Sequence, residues 1–255
     1  MGKNTSISWT DVTWNCAVGC TKLGADCKFC YMYRDSFDGT RYNPMVVRKT
    51  KTVFNLPLKI KEPSKIFTCS LTDFFHPDID SFRNEAWDII RKCPQHTFQI
   101  LTKRPERILE HLPPFWKEIR NHVWLGTSVG SQESVHRIID LVGTGLEETI
   151  LFLSLEPLHG EVILPRGHIK FIDWVITGGE SGNETGKYRY RPCKLEWIER
   201  IVSDCKNNNI PVFVKQLGTH LSKELKMSDR HGTFTSDFPE HLRIQQFPTY
   251  TYGED

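Results

Sequence analysis

A chain of 255 residues, 38% hydrophobic and 25% charged, has enough apolar content for a globular core and suits one large α/β domain better than two small ones. Its formal net charge of +2 is too small to demand a polyanionic partner. Residues 1–6 lead into no apolar stretch of signal-peptide type and no run approaches the ~20 apolar residues of a membrane span, so the expectation is a cytoplasmic protein with no membrane partner.

The first predicted element is Ser6–Trp9, a candidate opening strand. The densest chemical signal follows it: Cys16, Cys20, Cys27 and Cys30. In a reducing compartment such a tight group points to a metal site rather than a disulfide framework. Three chemistries fit the spacing. Cys20, Cys27 and Cys30 can hold an iron–sulfur cluster through three thiolates and leave one iron open to a small ligand, with Cys16, Cys20 and Cys27 as a second possible set. All four could close a tetrahedral zinc site, since the last pair has the C-x-x-C spacing of zinc knuckles. Cys27 and Cys30 could also form a thiol–disulfide redox pair. Cys69, Cys93, Cys193 and Cys205 are scattered and read as packing thiols.

Past the cysteines, short β-branched or aromatic runs alternate with amphipathic stretches. Strands are predicted at Lys65–Ser70, Thr97–Thr102, Val123–Ser128, Thr149–Ser154, Asp173–Thr177 and Ile210–Lys215. Helices are predicted at Asp80–Lys92, Pro105–Leu112, Gln132–Leu141 and Lys194–Asn207. This alternation predicts an α/β fold with a parallel sheet, either a (β/α) barrel or a partial TIM-type barrel, with an open doubly wound sheet as the alternative. From about Thr219 the pattern fades, so the expected organisation is a barrel domain over 1–218 and a loop-rich, Pro- and Tyr-containing C-terminal extension over 219–255.

In a barrel the reactive rim lies at the C-terminal ends of the strands. Those ends carry Asp73, Lys103, Arg104, Ser128, Glu156, Gly178, Gly179, Glu180 and Lys215. Each has a bland alternative: Asp73 could cap a helix, and Gly178-Gly179 could simply turn the chain. Polar groups at the ends of six strands together predict a site. Lys103 and Arg104 suit an anionic group such as phosphate or carboxylate. The basic runs Arg48–Lys51 and Lys59–Lys61 read as solvated faces.

The segment Cys27-Lys28-Phe29-Cys30, an aromatic directly before the last cysteine, resembles the radical S-adenosylmethionine superfamily, although six residues rather than the usual three separate the first two cysteines. Longer stretches are similar to the phage-associated three-cysteine-motif family, which is radical-SAM-like. They are Ile7–Asn15, Gly19-Cys20, Cys27–Tyr31, Thr97–Arg107, Phe152–Leu158, Ile172–Gly182 and Val214–Gln216. The resemblance implies that Cys20, Cys27 and Cys30 bind a [4Fe–4S] cluster, that S-adenosyl-L-methionine (SAM) is the second cofactor, and that Phe29 or Tyr31 packs near them. It implies a flavodoxin or ferredoxin as electron donor, and its phage setting suggests a nucleotide, tRNA or DNA substrate. The superfamily's Gly-Gly-Glu segment follows the second strand, whereas Gly178-Gly179-Glu180 follows the sixth, so Glu180 is expected to contact either SAM or substrate. The rival reading is a zinc-stabilised nucleic-acid-binding module without catalysis.

Overall fold

The computed structural model describes residues 5–35, 43–186 and 189–249. Seven strands run parallel: β1 (Val12–Trp14), β2 (Lys65–Thr68), β3 (Thr97–Thr102), β4 (Val123–Ser128), β5 (Leu151–Leu158), β6 (Trp174–Gly179) and β7 (Val212–Gln216). They pair in strict chain order, β1 to β7. A doubly wound sheet reverses its strand order near the middle, and this sheet never does. Every crossover steps in one direction, and because such crossovers are right-handed the connections gather on one face. The sheet curls into a half-barrel, with β1 and β7 at its two edges and no pairing between them to close a ring.

Alternation along the strands sorts side chains into two layers. The outward set, including Ile66, Ile100, Leu125, Leu153, Val175 and Val214, packs under the helices Arg83–Arg91, His136–Val142 and Leu195–Asn207 through Trp87, Ile90, Ile138, Ile198 and Val202. The inward set is aromatic: Phe67, Phe152, Trp174 and Phe213, joined by Trp9. At Gly126 on β4 an added Cβ would lie 2.5 Å from the Phe152 ring, so a bare backbone at this position makes room for that ring.

Several boundaries differ from the sequence reading. The opening strand is Val12–Trp14, not Ser6–Trp9; it starts where the Asp11 carboxylate accepts the Lys65 backbone N–H at 2.7 Å and so sets the β1–β2 register. Trp9 instead fills the half-barrel, 4.7 Å from Phe67 between ring centres. Pro105–Leu112 forms two 3₁₀ turns, Pro105–Arg107 and Leu109–His111, rather than one α-helix. The following Pro113-Pro114 stops helical propagation. The sheet edge at β7 is not bare. The segment read as a loop-rich extension begins with a helix, Gly218–Glu224, and returns to pair antiparallel with β7. Val214 N–H donates to the Ile244 carbonyl at 2.8 Å, Gln246 N–H to Val212 at 3.0 Å, and Phe247 stacks on Trp174 at 5.3 Å. Tyr250 and Tyr252 of its tail lie outside the described residues. Among the described residues no helix is long and apolar enough to cross a membrane.

Candidate active site

A cavity of about 720 Å³ opens at the C-terminal ends of the strands, within the range of small-molecule sites. Its wall includes Cys20, Cys27, Phe29, Cys30, Tyr31, Asp73, Lys103, Arg104, Ser128, Glu156, Glu180 and Lys215. Of the rim residues predicted from sequence, only Gly178 and Gly179 do not line it. Both are buried, and a Cβ on them would fall 2.5 Å from the Gln216 carbonyl and 2.2 Å from that of Leu217. Their lack of a side chain therefore serves the close approach of β6 to β7.

The cysteine loop leaves β1 through Ala17-Val18, which pairs antiparallel with Arg48-Lys49. Gly19 turns the chain at φ +98°, where a Cβ would meet the Val46 carbonyl at 2.2 Å. A 3₁₀ turn, Ala25–Cys27, and then the short helix α1 (Tyr31–Asp35) fold the loop so that three thiols reach one cavity. Cys16 goes elsewhere: its Sγ lies 3.4 Å from Cys69 Sγ in the core, and it does not line the cavity.

Rim side chains grip this loop from several directions. Arg104 donates through Nη2 to the Thr21 carbonyl at 3.2 Å and the Thr21 hydroxyl at 2.9 Å, and through Nη1 to Asp73 at 2.9 Å and toward Cys20 Sγ at 3.9 Å. Asp73 is fully engaged, accepting also from Thr102 Oγ1 at 2.6 Å and from the backbone N–H groups of Phe75 and Lys103. His76 accepts the Asp78 N–H on Nδ1, so the proton sits on Nε2, which faces Thr21 Oγ1 at 2.8 Å. Burial and then the Arg104 charge hold its pKa below the usual histidine value. Burial, aided by the Asp73 charge and opposed by Arg104, pushes the Cys20 thiol up to about 11. Tyr31 and Tyr33 tie the far side of the loop by donating to the carbonyls of Ser70 and Cys20.

Two further clamps carry residues that the sequence reading missed. Asp26, between the cysteines, accepts from His159 at 2.7 Å and from Arg137, whose Nη1 also donates to the Ser128 carbonyl at 2.9 Å. Burial works to raise the Asp26 pKa, but the His159 hydrogen bond and the Arg137 charge overcome it and hold the carboxyl at about 2. Glu180 is occupied by Arg191, accepting from its backbone N–H, Nε and Nη2 at 2.7–2.8 Å. Arg191 then donates to the Ala25 carbonyl at 2.7 Å and lies over the Phe29 ring. Glu180 thus holds the cysteine loop through Arg191. An acidic residue inside a cysteine cluster was a legible signal for Asp26, whereas nothing in the sequence near Arg191 marks it.

The donor set suits a thiophilic group: three thiols of one loop in the wall, with a guanidinium beside the first, while Cys69, which also lines the cavity, faces Cys16. Among the described residues no three Cys, His, Asp or Glu side chains converge as a ready coordination group, so the thiols share a cavity without forming a closed cage. Across the cavity Lys215 donates to both oxygens of Glu156, at 2.6 and 2.8 Å.

Residues 4–239 match the family described as Protein of unknown function (DUF5131), and the chain belongs to that family. No curated protein and no solved structure is similar to it.

Proposed function

We propose that this family member is a radical SAM enzyme of the phage-associated three-cysteine-motif type, in which Cys20, Cys27 and Cys30 hold a [4Fe–4S] cluster at the mouth of a partial TIM-type barrel. The observation that carries this reading is the division of the cysteines. Three thiols of one loop face a cavity at the strand ends, while Cys16 turns to Cys69. A closed zinc site would draw on the fourth thiol. With a cluster and SAM bound, one-electron cleavage of the sulfonium supplies methionine and a 5′-deoxyadenosyl radical that takes hydrogen from a substrate C–H bond.

The chain's own residues provide the setting. Arg104 fixes the Cys20 segment and offers an N–H to its sulfur, the kind of contact that adjusts a cluster's potential. Trp9, Phe67 and Leu101 form the apolar floor of the cavity and keep water from a reactive carbon centre. Phe29, held under Arg191, presents an aromatic surface beside the last cysteine. A flavodoxin or ferredoxin is the proposed reductant, and modification or repair of a nucleotide or nucleic acid is the proposed task, in line with the phage-associated resemblance.

The test is anaerobic reconstitution with iron and sulfide, electron paramagnetic resonance of the reduced protein with and without SAM, and an assay for 5′-deoxyadenosine. We expect a [4Fe–4S] signal that shifts with SAM, lost in Cys20→Ala, Cys27→Ala and Cys30→Ala and kept in Cys16→Ala. Tightly bound zinc with no cluster after reconstitution would overturn the proposal in favour of the binding module.

A further inference from the structure

Among the described residues the charges around the cavity balance pair by pair except at two lysines, Lys103 and Lys22. Each carboxylate that lines it has its own cation: Asp26 has Arg137, Asp73 has Arg104, Glu156 has Lys215 and Glu180 has Arg191. Arg104, which the sequence offered with Lys103 as an anion-binding pair, is therefore spent on Asp73 and the cysteine loop. Lys103 makes no ion pair among the described residues. Its backbone N–H goes to Asp73, and its ammonium group donates to Ser128 Oγ at 3.0 Å, one partner for three donors. Lys22, the other wall lysine outside these pairs, instead donates to the Lys28 carbonyl at 3.4 Å and lies over the Tyr33 ring at the exposed edge.

We infer that Lys103 Nζ and Ser128 Oγ form an oxyanion subsite inside the cavity, for a phosphate or carboxylate of a molecule bound there. The ammonium supplies charge and two N–H donors that have no partner among the described residues. Ser128, accepting from Lys103, keeps its own hydroxyl proton to donate. The backbone on both sides is fixed: Asp73 holds Lys103 N–H, and Arg137 holds the Ser128 carbonyl. Asp26 does not oppose an incoming anion with a bare charge, because Arg137 and His159 both bind it. Lys103 is half-buried, and a cation drawn partly out of water without an ion-pair partner gains from a ligand that brings the opposite charge.

The inference rests on the cavity being the reaction chamber proposed above, but its first arm needs neither cluster nor SAM. In that arm the full-length protein is titrated calorimetrically with inorganic phosphate. In the second, the reconstituted protein is titrated with SAM and with decarboxylated SAM, which lacks the carboxylate. We expect Lys103→Met to weaken phosphate binding, or to erase a preference for SAM over its decarboxylated form, by about tenfold or more. Lys103→Arg should retain most of the affinity, and Ser128→Ala should give a smaller loss in the same arm. Loss in the phosphate arm alone assigns the site to a phosphorylated substrate, and loss in the SAM arm assigns it to the methionyl carboxylate. If neither ligand is bound in a way that depends on Lys103, or if Lys103→Arg behaves like Lys103→Met, the subsite is overturned. A protein that takes up no cluster yet shows Lys103-dependent phosphate binding would sink the radical SAM reading and leave the subsite standing.

Discussion

Near the N-terminal ends of the strands the half-barrel is filled by Trp9, Phe67, Phe152, Trp174 and Phe213, with rings 4.7 to 6.5 Å apart, while near the C-terminal ends the same strands deliver Asp73, Lys103, Glu156 and Lys215. The two ends share one backbone and one strand alternation. What differs is the source of order. At the aromatic end, shape and the removal of apolar surface from water fix the side chains, and any ring of the right volume does most of the job. At the polar end each buried carboxylate is satisfied by a particular cation placed by a different loop, so order depends on pairs whose loss leaves a charge stranded. The contrast explains why one end supports the molecule and the other can hold ligands: a floor of mutually touching rings has no spare capacity, whereas a rim of paired charges can leave one group unpaired.

The sharpest way to break the comparison is at Trp174, fully buried and in ring contact with Trp9, Phe152 and Phe213. Trp174→Ala should cost about 4 kcal/mol in chemical denaturation, through lost burial and the cavity left behind. Trp174→Phe should recover much of that. A loss below about 1 kcal/mol for the alanine variant would show that the aromatic floor is not what supports the half-barrel.

Next in size is Asp73, whose side chain is 6% exposed beside an Arg104 that is 7% exposed. Asp73→Ala should cost about 3 kcal/mol because Arg104 keeps its charge and loses its partner, whereas the double variant Asp73→Leu/Arg104→Met should be less damaging than Asp73→Ala alone. That recovery would mark the rim as a place where pairing matters more than polarity. Equal losses in the single and double variants would make the rim resemble the floor.

The alternation of strand and helix patterns made the parallel architecture legible, and Thr97–Thr102 and Val123–Ser128 are strands with the predicted ends. Those signals are local. The covering of the β7 edge was not legible, because it depends on residues 244–247 reaching β7 from far along the chain, and the short run Ile244-Gln245-Gln246-Phe247 carries no mark of a partner strand. The opening strand was misplaced for a related reason: Ile7 and Trp9 alternate as well as Val12 and Trp14 do, and only the pairing with Lys65–Thr68 chooses between them. At the site, residue types at strand ends announced the rim, since fold class fixes where those ends meet. Which rim residue is paired with which was hidden. Glu180 stands at a strand end like the others, and no sequence pattern pairs it with Arg191, which lies eleven positions later in a loop and binds it three times.

The smallest effect separates the two ends by pH. Asp26 is held at about 2 in the folded protein, against about 3.9 for an unfolded aspartate. A carboxyl with a depressed folded pKa binds its proton more readily when the chain unfolds, so it contributes stability above about pH 4 and loses it as pH falls toward 2. The difference amounts to about 2.6 kcal/mol at most for a side chain that is 5% exposed. Asp26→Asn should therefore be less stable than the parent at pH 7, and the gap should close as denaturation is repeated between pH 4 and pH 2. Other carboxylates titrate in both proteins and cancel from the difference. The same comparison with Phe152→Leu, a change confined to the floor, should give a gap that does not vary with pH. If the Asp26→Asn gap is equally flat, the clamp on the cysteine loop is held by shape rather than charge, and the division between the two ends of the half-barrel fails at the position where it matters most to the thiols.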